Sequence, residues 1–120
     1  MSRILVADDD AIVLESTAAT LELAGHQVTR ARDVGEARDA LSSETFAVLV
    51  TDLQMPVLKV MGLLSLVRAQ PNPIPVIVVS TTGNREERRK ARALGAVALV
   101  EKGSLNLVGL VGEVDKLTRV

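Results

Sequence analysis

Apolar residues follow two spacings along this chain, and the two spacings alternate. Short runs dense in Val, Ile, Leu and Ala occur at Ile4–Ala7, Gln27–Arg30, Phe46–Thr51, Val76–Ser80 and Val97–Val100. Val48-Leu49-Val50 and Val76-Ile77-Val78-Val79 lack polar alternation, which predicts parallel strands covered on both faces. Between the runs, apolar positions fall three and four apart, the spacing of amphipathic helices. Five strands separated by helices predict an α/β fold of (βα)5 type.

Polar residues mark where these helices begin and end. Asp10 is placed to cap a first helix with Leu14, Ala18 and Leu21 on one face, and Gly25 stands where it should stop. Asp33 with Glu36, and Asn84 with Glu87, have capping-box spacing. They open helices leading to Ala37, Ala40 and Leu41, and to Ala91 and Leu94, the latter ended by Gly95. A third helix is expected from about Val60 to Gln70, where Pro71, Pro73 and Pro75 impose a break. After Ser104, Val108, Leu110, Val111, Val114 and Leu117 form an apolar face for a last helix. Gly109 and Gly112 weaken it by roughly 1 kcal/mol each relative to Ala, so fraying is expected there. With no repeat, linker or low-complexity tract, residues 1–120 are expected to form one domain.

Composition narrows the chemistry. Hydrophobic residues make up 48% of the chain and Phe46 is its one aromatic, so the core must be aliphatic. Fourteen basic and fifteen acidic residues leave a net charge of −1, which supplies no general field for nucleic acid. Without cysteine there is no disulfide framework, thiolate metal site or thiol nucleophile. The N-terminal apolar run meets three aspartates at once, unlike a secretion signal, and no stretch approaches the ~18 apolar residues of a membrane span. A soluble, cytoplasmic protein is expected.

Ligands of open α/β sheets collect beyond the carboxyl ends of the strands. Here those ends carry Asp8-Asp9-Asp10, Thr51-Asp52, Ser80-Thr81-Thr82 and Glu101-Lys102. Converging carboxylates repel one another unless a cation intervenes. With oxygen ligands only, that cation should be Mg²⁺, or Mn²⁺, rather than Zn²⁺. The ammonium of Lys102 and the hydroxyl of Ser80, facing a metal-bound carboxylate, make a receptor for a phosphoryl group, with Asp52 as its natural acceptor.

With these residues in this order, the chain resembles the response-regulator receiver family of two-component signal transduction, in its chemotaxis-regulator-like form, over essentially its whole length. Asp52-Leu53-Gln54-Met55-Pro56 carries the D-x-x-M-P pattern and Leu94-Gly95-Ala96 the Gly-Ala before the last strand. The resemblance implies a flavodoxin-like three-layer sandwich with strand order 2-1-3-4-5. It makes Asp8 and Asp9 the metal-holding acid pair, Asp52 the phosphoacceptor, and the backbone carbonyl of Gln54 a further ligand to Mg²⁺. Ser80 and Lys102 would grip the phosphoryl oxygens, and Gln54 and Thr82 would set the hydrolysis rate. Such a chain is a signalling switch, not an enzyme in the ordinary sense. Its phosphodonor is a sensor histidine kinase or phosphotransfer protein, and its output passes to a protein partner or an effector domain, without direct contact to nucleic acid or membrane.

Three departures bear on the switch. Lys59-Val60 stand where relatives have an acidic or Ser residue and Gly, with Gly62 two residues late, so an altered loop and a late third helix are expected. Gly103 replaces the usual Pro after Lys102, which predicts a trans bond. Leu99 occupies the place of an aromatic that turns inward in many relatives. These departures would permit an alternative, a diverged receiver-like interaction module acting without phosphorylation. A small hydrolase is disfavoured, because no second acid/base lies two residues after Asp52. His26 reads as a loop residue. The run Arg85–Lys90 reads as a solvated helix face with pairs such as Glu86 and Lys90, or as a partner surface, since the fourth helix, fifth strand and fifth helix commonly engage partners in the family.

Overall fold

The computed structural model describes residues 2–52, 57–80, 84–101 and 107–118, without the side chains of 57–60 and 107. Strands and helices alternate as β1 Arg3–Ala7, α1 Ala11–Leu23, β2 Gln27–Ala31, α2 Val34–Ser43, β3 Val48–Asp52, α3 Val57–Arg68, β4 Val76–Ser80, α4 Arg85–Ala93, β5 Ala98–Glu101 and α5 Leu107–Thr118. The five strands form one parallel sheet in the order β2-β1-β3-β4-β5, the flavodoxin-like arrangement expected.

Because successive side chains on a strand point to opposite faces, the unbroken apolar runs serve two layers at once. Leu5, Ala7, Leu49 and Val76 pack with Ala37 of α2 and with Leu63, Leu64 and Val67 of α3. Ile4, Val6, Val48, Val50, Ile77 and Val79 pack on the other face with Leu14 and Leu21 of α1 and Leu110 and Val114 of α5. Every residue of β3 and β4 is buried, whereas β5 at the sheet's edge is only half-buried.

Local signals placed the helix starts well. Asp10 Oδ1 accepts hydrogen bonds from the amides of Ile12 and Val13 at 2.9 and 3.2 Å. Asp33 Oδ1 accepts from the Glu36 amide and Asn84 Oδ1 from the Glu87 amide, both at 2.8 Å. The first capping box does not close in the usual way: Glu36 Oε1 accepts from the amide of Arg32, one residue before the cap. Gly25 and Gly95 end α1 and α4 at φ of 99° and 90°, the left-handed region that favours glycine.

Two expectations are corrected. α3 begins at Val57, not near Val60, so the late start is wrong. Pro56 immediately precedes Val57 in sequence, and a proline at a helix start removes only an amide that would lack a helical partner anyway. Val108 is not on the core face of α5 but 76% exposed, while Leu110 and Val114 are fully buried. Val108 is two residues from Leu110, about 200° around a helix, so both could not face the sheet. α5 runs unbroken through Gly109 and Gly112.

Candidate functional site

The sheet's direction of winding reverses between β1 and β3, where α/β folds place their ligands. Ala7 at the end of β1 is in register with Thr51, and Asp52 at the end of β3 with Val79, one residue before Ser80. Parallel pairing therefore delivers Asp8, Asp9, Asp52 and Ser80 to a single edge. Side-chain oxygens of Asp8, Asp9 and Asp52 all lie within 4.8 Å of one another. Asp8 and Asp52 are buried, at 3% and 2% exposure, and Asp9 faces solvent. Asp8 Oδ1 also accepts the backbone N–H of Asp10 at 2.9 Å, which fixes its carboxylate. Asp10, occupied with capping α1, is no member of the cluster.

Two unit charges 4.8 Å apart repel by roughly 3.5 kcal/mol at an effective dielectric of about 20. The donor set is entirely carboxylate oxygen, which suits a hard divalent cation. Oxygens bound to one Mg²⁺ lie no more than about 4.2 Å apart, so the three ligand atoms would need to close by only tenths of an ångström. These residues fit Mg²⁺. The Ser80 Oγ is fully buried and has no hydrogen-bond partner among the described residues, a state that costs about 1–3 kcal/mol until an acceptor arrives.

Of the remaining candidates, Gln54 and Lys102 lie outside the described residues, as do Thr81, Thr82 and Gly103, so the trans bond expected there is not observed either way. Glu101, which precedes Lys102 in sequence, pairs with Ser80 across β4 and β5. Leu99 pairs with Val78 and packs, half-buried, in a small cluster with Val78 and Ala91.

Sequence reasoning passed over Ile12 and put Val108 on the core face, yet both are exposed beside this edge. Ile12 on the first turn of α1 is 79% exposed, and Val108 on the first turn of the neighbouring α5 is similarly open. It also overlooked the burial of His26, whose Nε2 lies 3.0 Å from Asp115 Oδ1 of α5, with Nδ1 buried and without a partner among the described residues.

The chain is similar in sequence and fold to response regulators. The family model for the response regulator receiver domain matches residues 4–110. A gliding motility regulatory protein of Myxococcus xanthus is 33% identical over 118 residues, 97% of this chain and 15% of that protein. The transcriptional regulatory protein FixJ of Bradyrhizobium diazoefficiens is 36% identical over 100 residues, 83% of this chain and 49% of its own length. The chain thus spans half or less of these relatives. Among solved structures, the receiver domain of Francisella response regulator 1452 superposes with a TM-score of 0.84 at 29% identity, covering 98% of this chain and 96% of that one. Vibrio cholerae chemotaxis protein CheY4 does so at 0.85 and 26%, covering 98% of each chain. With the matched sequence, the strand order and the acid cluster in agreement, this chain belongs to the response regulator receiver domain family.

Proposed function

We propose that the chain is a phosphorylation-dependent switch that accepts a phosphoryl group on Asp52 from a phosphohistidine donor and signals through protein contact. The observation that carries this reading is the meeting of Asp8, Asp9 and Asp52 at the β1–β3 switch point, beside the unpartnered hydroxyl of Ser80. Asp8 and Asp9 would hold Mg²⁺ together with Asp52, and the Gln54 carbonyl joins them by family resemblance. When bound, Mg²⁺ offsets the repulsion among the carboxylates and the charge on the phosphoryl oxygens.

The chain's own groups do the rest. An Asp52 oxygen forms a bond to phosphorus as the phosphorus–nitrogen bond to the donor's imidazole breaks, and the imidazole leaves with that electron pair. The Ser80 hydroxyl donates to one phosphoryl oxygen and the Lys102 ammonium pairs with another. Ile12 and Val108, exposed on adjacent helices at this edge, offer apolar contact to the donor protein. Gln54 and Thr82 would govern water attack on the acyl phosphate. Phosphorylation then shifts an equilibrium between two conformations, with Leu99 repacking against Val78 and Ala91 in place of the family's aromatic. By family resemblance we assign the chain to the cytoplasm. No helix among the described residues is long and apolar enough to cross a membrane.

Leu99 is also what favours a second reading, a diverged interaction module that works without phosphorylation. Intact-mass measurement after incubation with acetyl phosphate or a cognate kinase and Mg²⁺ separates the two. One added phosphoryl group, lost in Asp52→Asn, supports the switch, and no gain supports the module. Thermal melts check the metal independently: Mg²⁺ should raise the melting temperature of the wild type but not of Asp9→Ala. Identical wild-type melts with and without Mg²⁺ would count against a metal site.

A further inference from the structure

At the opposite end of β4 from Ser80 lies an open cavity of about 290 Å³, between the last turn of α3, the start of β4 and the turn that leads from α4 to β5. Its surface is mostly apolar. Leu64, Val67 and Val76, all buried, line its depth, and Leu94 and the 57% exposed Val97 line its mouth. A volume of this size stands at the lower end of the roughly 300–1,000 Å³ of ligand sites, which suits a small molecule.

The walls are held in place before any ligand arrives. Pro73 and Pro75 form part of the lining, and proline fixes φ, so that wall has little freedom to lose on binding. The Leu49 amide donates to the Pro75 carbonyl at 3.1 Å and the Val97 amide to the Val76 carbonyl at 2.8 Å, which ties both sides of the cavity to the sheet.

Arg68 is the one charged residue among those that line it, and its guanidinium lies over Gly95, in the space that a Cβ would take. Arg3, Arg30 and Arg32 are each matched by a glutamate, Glu44, Glu15 and Glu36 respectively. Arg68 has no carboxylate within ion-pair distance among the described residues. The sequence gives the reason: from Leu53 to Arg85 the chain contains no Asp or Glu. Capping α4 does not consume the guanidinium either. The carbonyls of Lys90, Ala91 and Arg92 already accept from the amides of Leu94, Ala96 and Gly95 at 2.9 or 3.0 Å. Arg68 adds one bond, from Nη2 to the Ala93 carbonyl at 3.4 Å, which is long for a hydrogen bond and leaves further N–H donors of the fork open.

We propose that this cavity binds a small aliphatic carboxylate, with the carboxylate on the fork of Arg68 and the hydrocarbon chain against Leu64, Val67, Val76 and Leu94. Arginine's planar fork matches a carboxylate in bidentate geometry, and the rest of the lining offers mainly hydrocarbon. The site goes beyond the phosphorylation reading and does not depend on it, because the acid cluster stands at the other end of the sheet.

The test titrates isocaproate, a branched short-chain carboxylate, into the full isotope-labelled chain at constant ionic strength and follows backbone amide shifts by NMR. Isocaproamide, its neutral twin, and acetate serve as comparisons, as does N-acetyl-leucine, which mimics the last residue of a protein chain. Isocaproate should move the amides of Arg68, Leu94, Gly95 and Val97 with a dissociation constant of about 1–10 mM, the range open to a ligand of so few atoms. It should bind at least about threefold more tightly than isocaproamide or acetate. Arg68→Gln should remove the preference for the acid over the amide and leave isocaproamide binding unchanged. Val97→Asp should weaken isocaproate by repulsion at the mouth, which keeps the test open if Arg68→Gln folds poorly. No saturable shifts at these amides, equal binding of isocaproamide, or wild-type binding of isocaproate by both variants would overturn the proposal. Tighter binding of N-acetyl-leucine than of isocaproate would also overturn it, by assigning the site to the end of a protein chain.

Discussion

The centre of the sheet and its β5–α4 edge are built to different standards. β3 and β4 are buried along their whole length, between Leu63, Leu64 and Val67 on one side and Leu110 and Val114 on the other. β5 is half-buried throughout, and α4 is anchored through Ala91 alone. Asp52 and Ser80 sit on the well-packed strands, and Leu99 sits on the loose one. Groups that must meet within ångströms benefit from a rigid support, whereas an element that changes with signalling state must lie near the low end of local stability.

Truncation in the two regions should separate them most. Ile77→Ala, at the centre of β4, should cost about 2–5 kcal/mol in urea unfolding, while Leu99→Ala should cost less than about 2 kcal/mol. Equal losses would erase the contrast. Amide exchange should agree, with β3 and β4 protected up to global unfolding and α4 opening first.

A smaller effect of opposite sign is expected on α5. A methyl group at Gly109 or Gly112 would meet nothing within 4 Å, so Gly109→Ala and Gly112→Ala should each stabilise by roughly 0.5–1 kcal/mol. Gly95 is the counterexample. Its φ is +90° and an added Cβ would lie 2.5 Å from the guanidinium of Arg68, whose Nη2 donates to the carbonyl of Ala93. Gly95→Ala should therefore lower the melting temperature, and an unchanged or raised value would contradict that packing.

The smallest effect belongs to the opposite sheet edge. Arg30 of β2 bonds both Glu15 and Glu22 of α1, and its hydrogen bond holds the Glu22 carboxyl below its ordinary value of 4.5. A depressed folded value means that the contribution is present above about pH 4.5 and is lost as pH falls through the folded value. The pair is exposed, so the gain is small. Stability of wild type and Arg30→Gln, followed by urea unfolding across that range, should converge on the acid side. A constant gap would exclude this linkage.

Much of the architecture was legible because its causes are local. Asp10, Asp33 and Asn84 cap helices with amides two or three residues away, and Gly25 and Gly95 adopt the one backbone region that favours glycine. The reading failed at α3, where a family comparison of loop residues outweighed the simpler signal of Pro56. It failed again at Val108, where apolar character was taken for burial.

By itself, the sequence determined the alternation of strands and helices, the two-sided burial of β3 and β4, and the candidates Asp8, Asp9, Asp52 and Ser80, because each depends on neighbours along the chain. Only the tertiary structure decided that the three carboxylates share a space less than 5 Å across, since that depends on the parallel register of β1 with β3. It alone joined His26 to Asp115 across 89 residues and laid Arg68 over Gly95. Contacts between residues far apart in the chain leave no periodic trace, so packing had to reveal them.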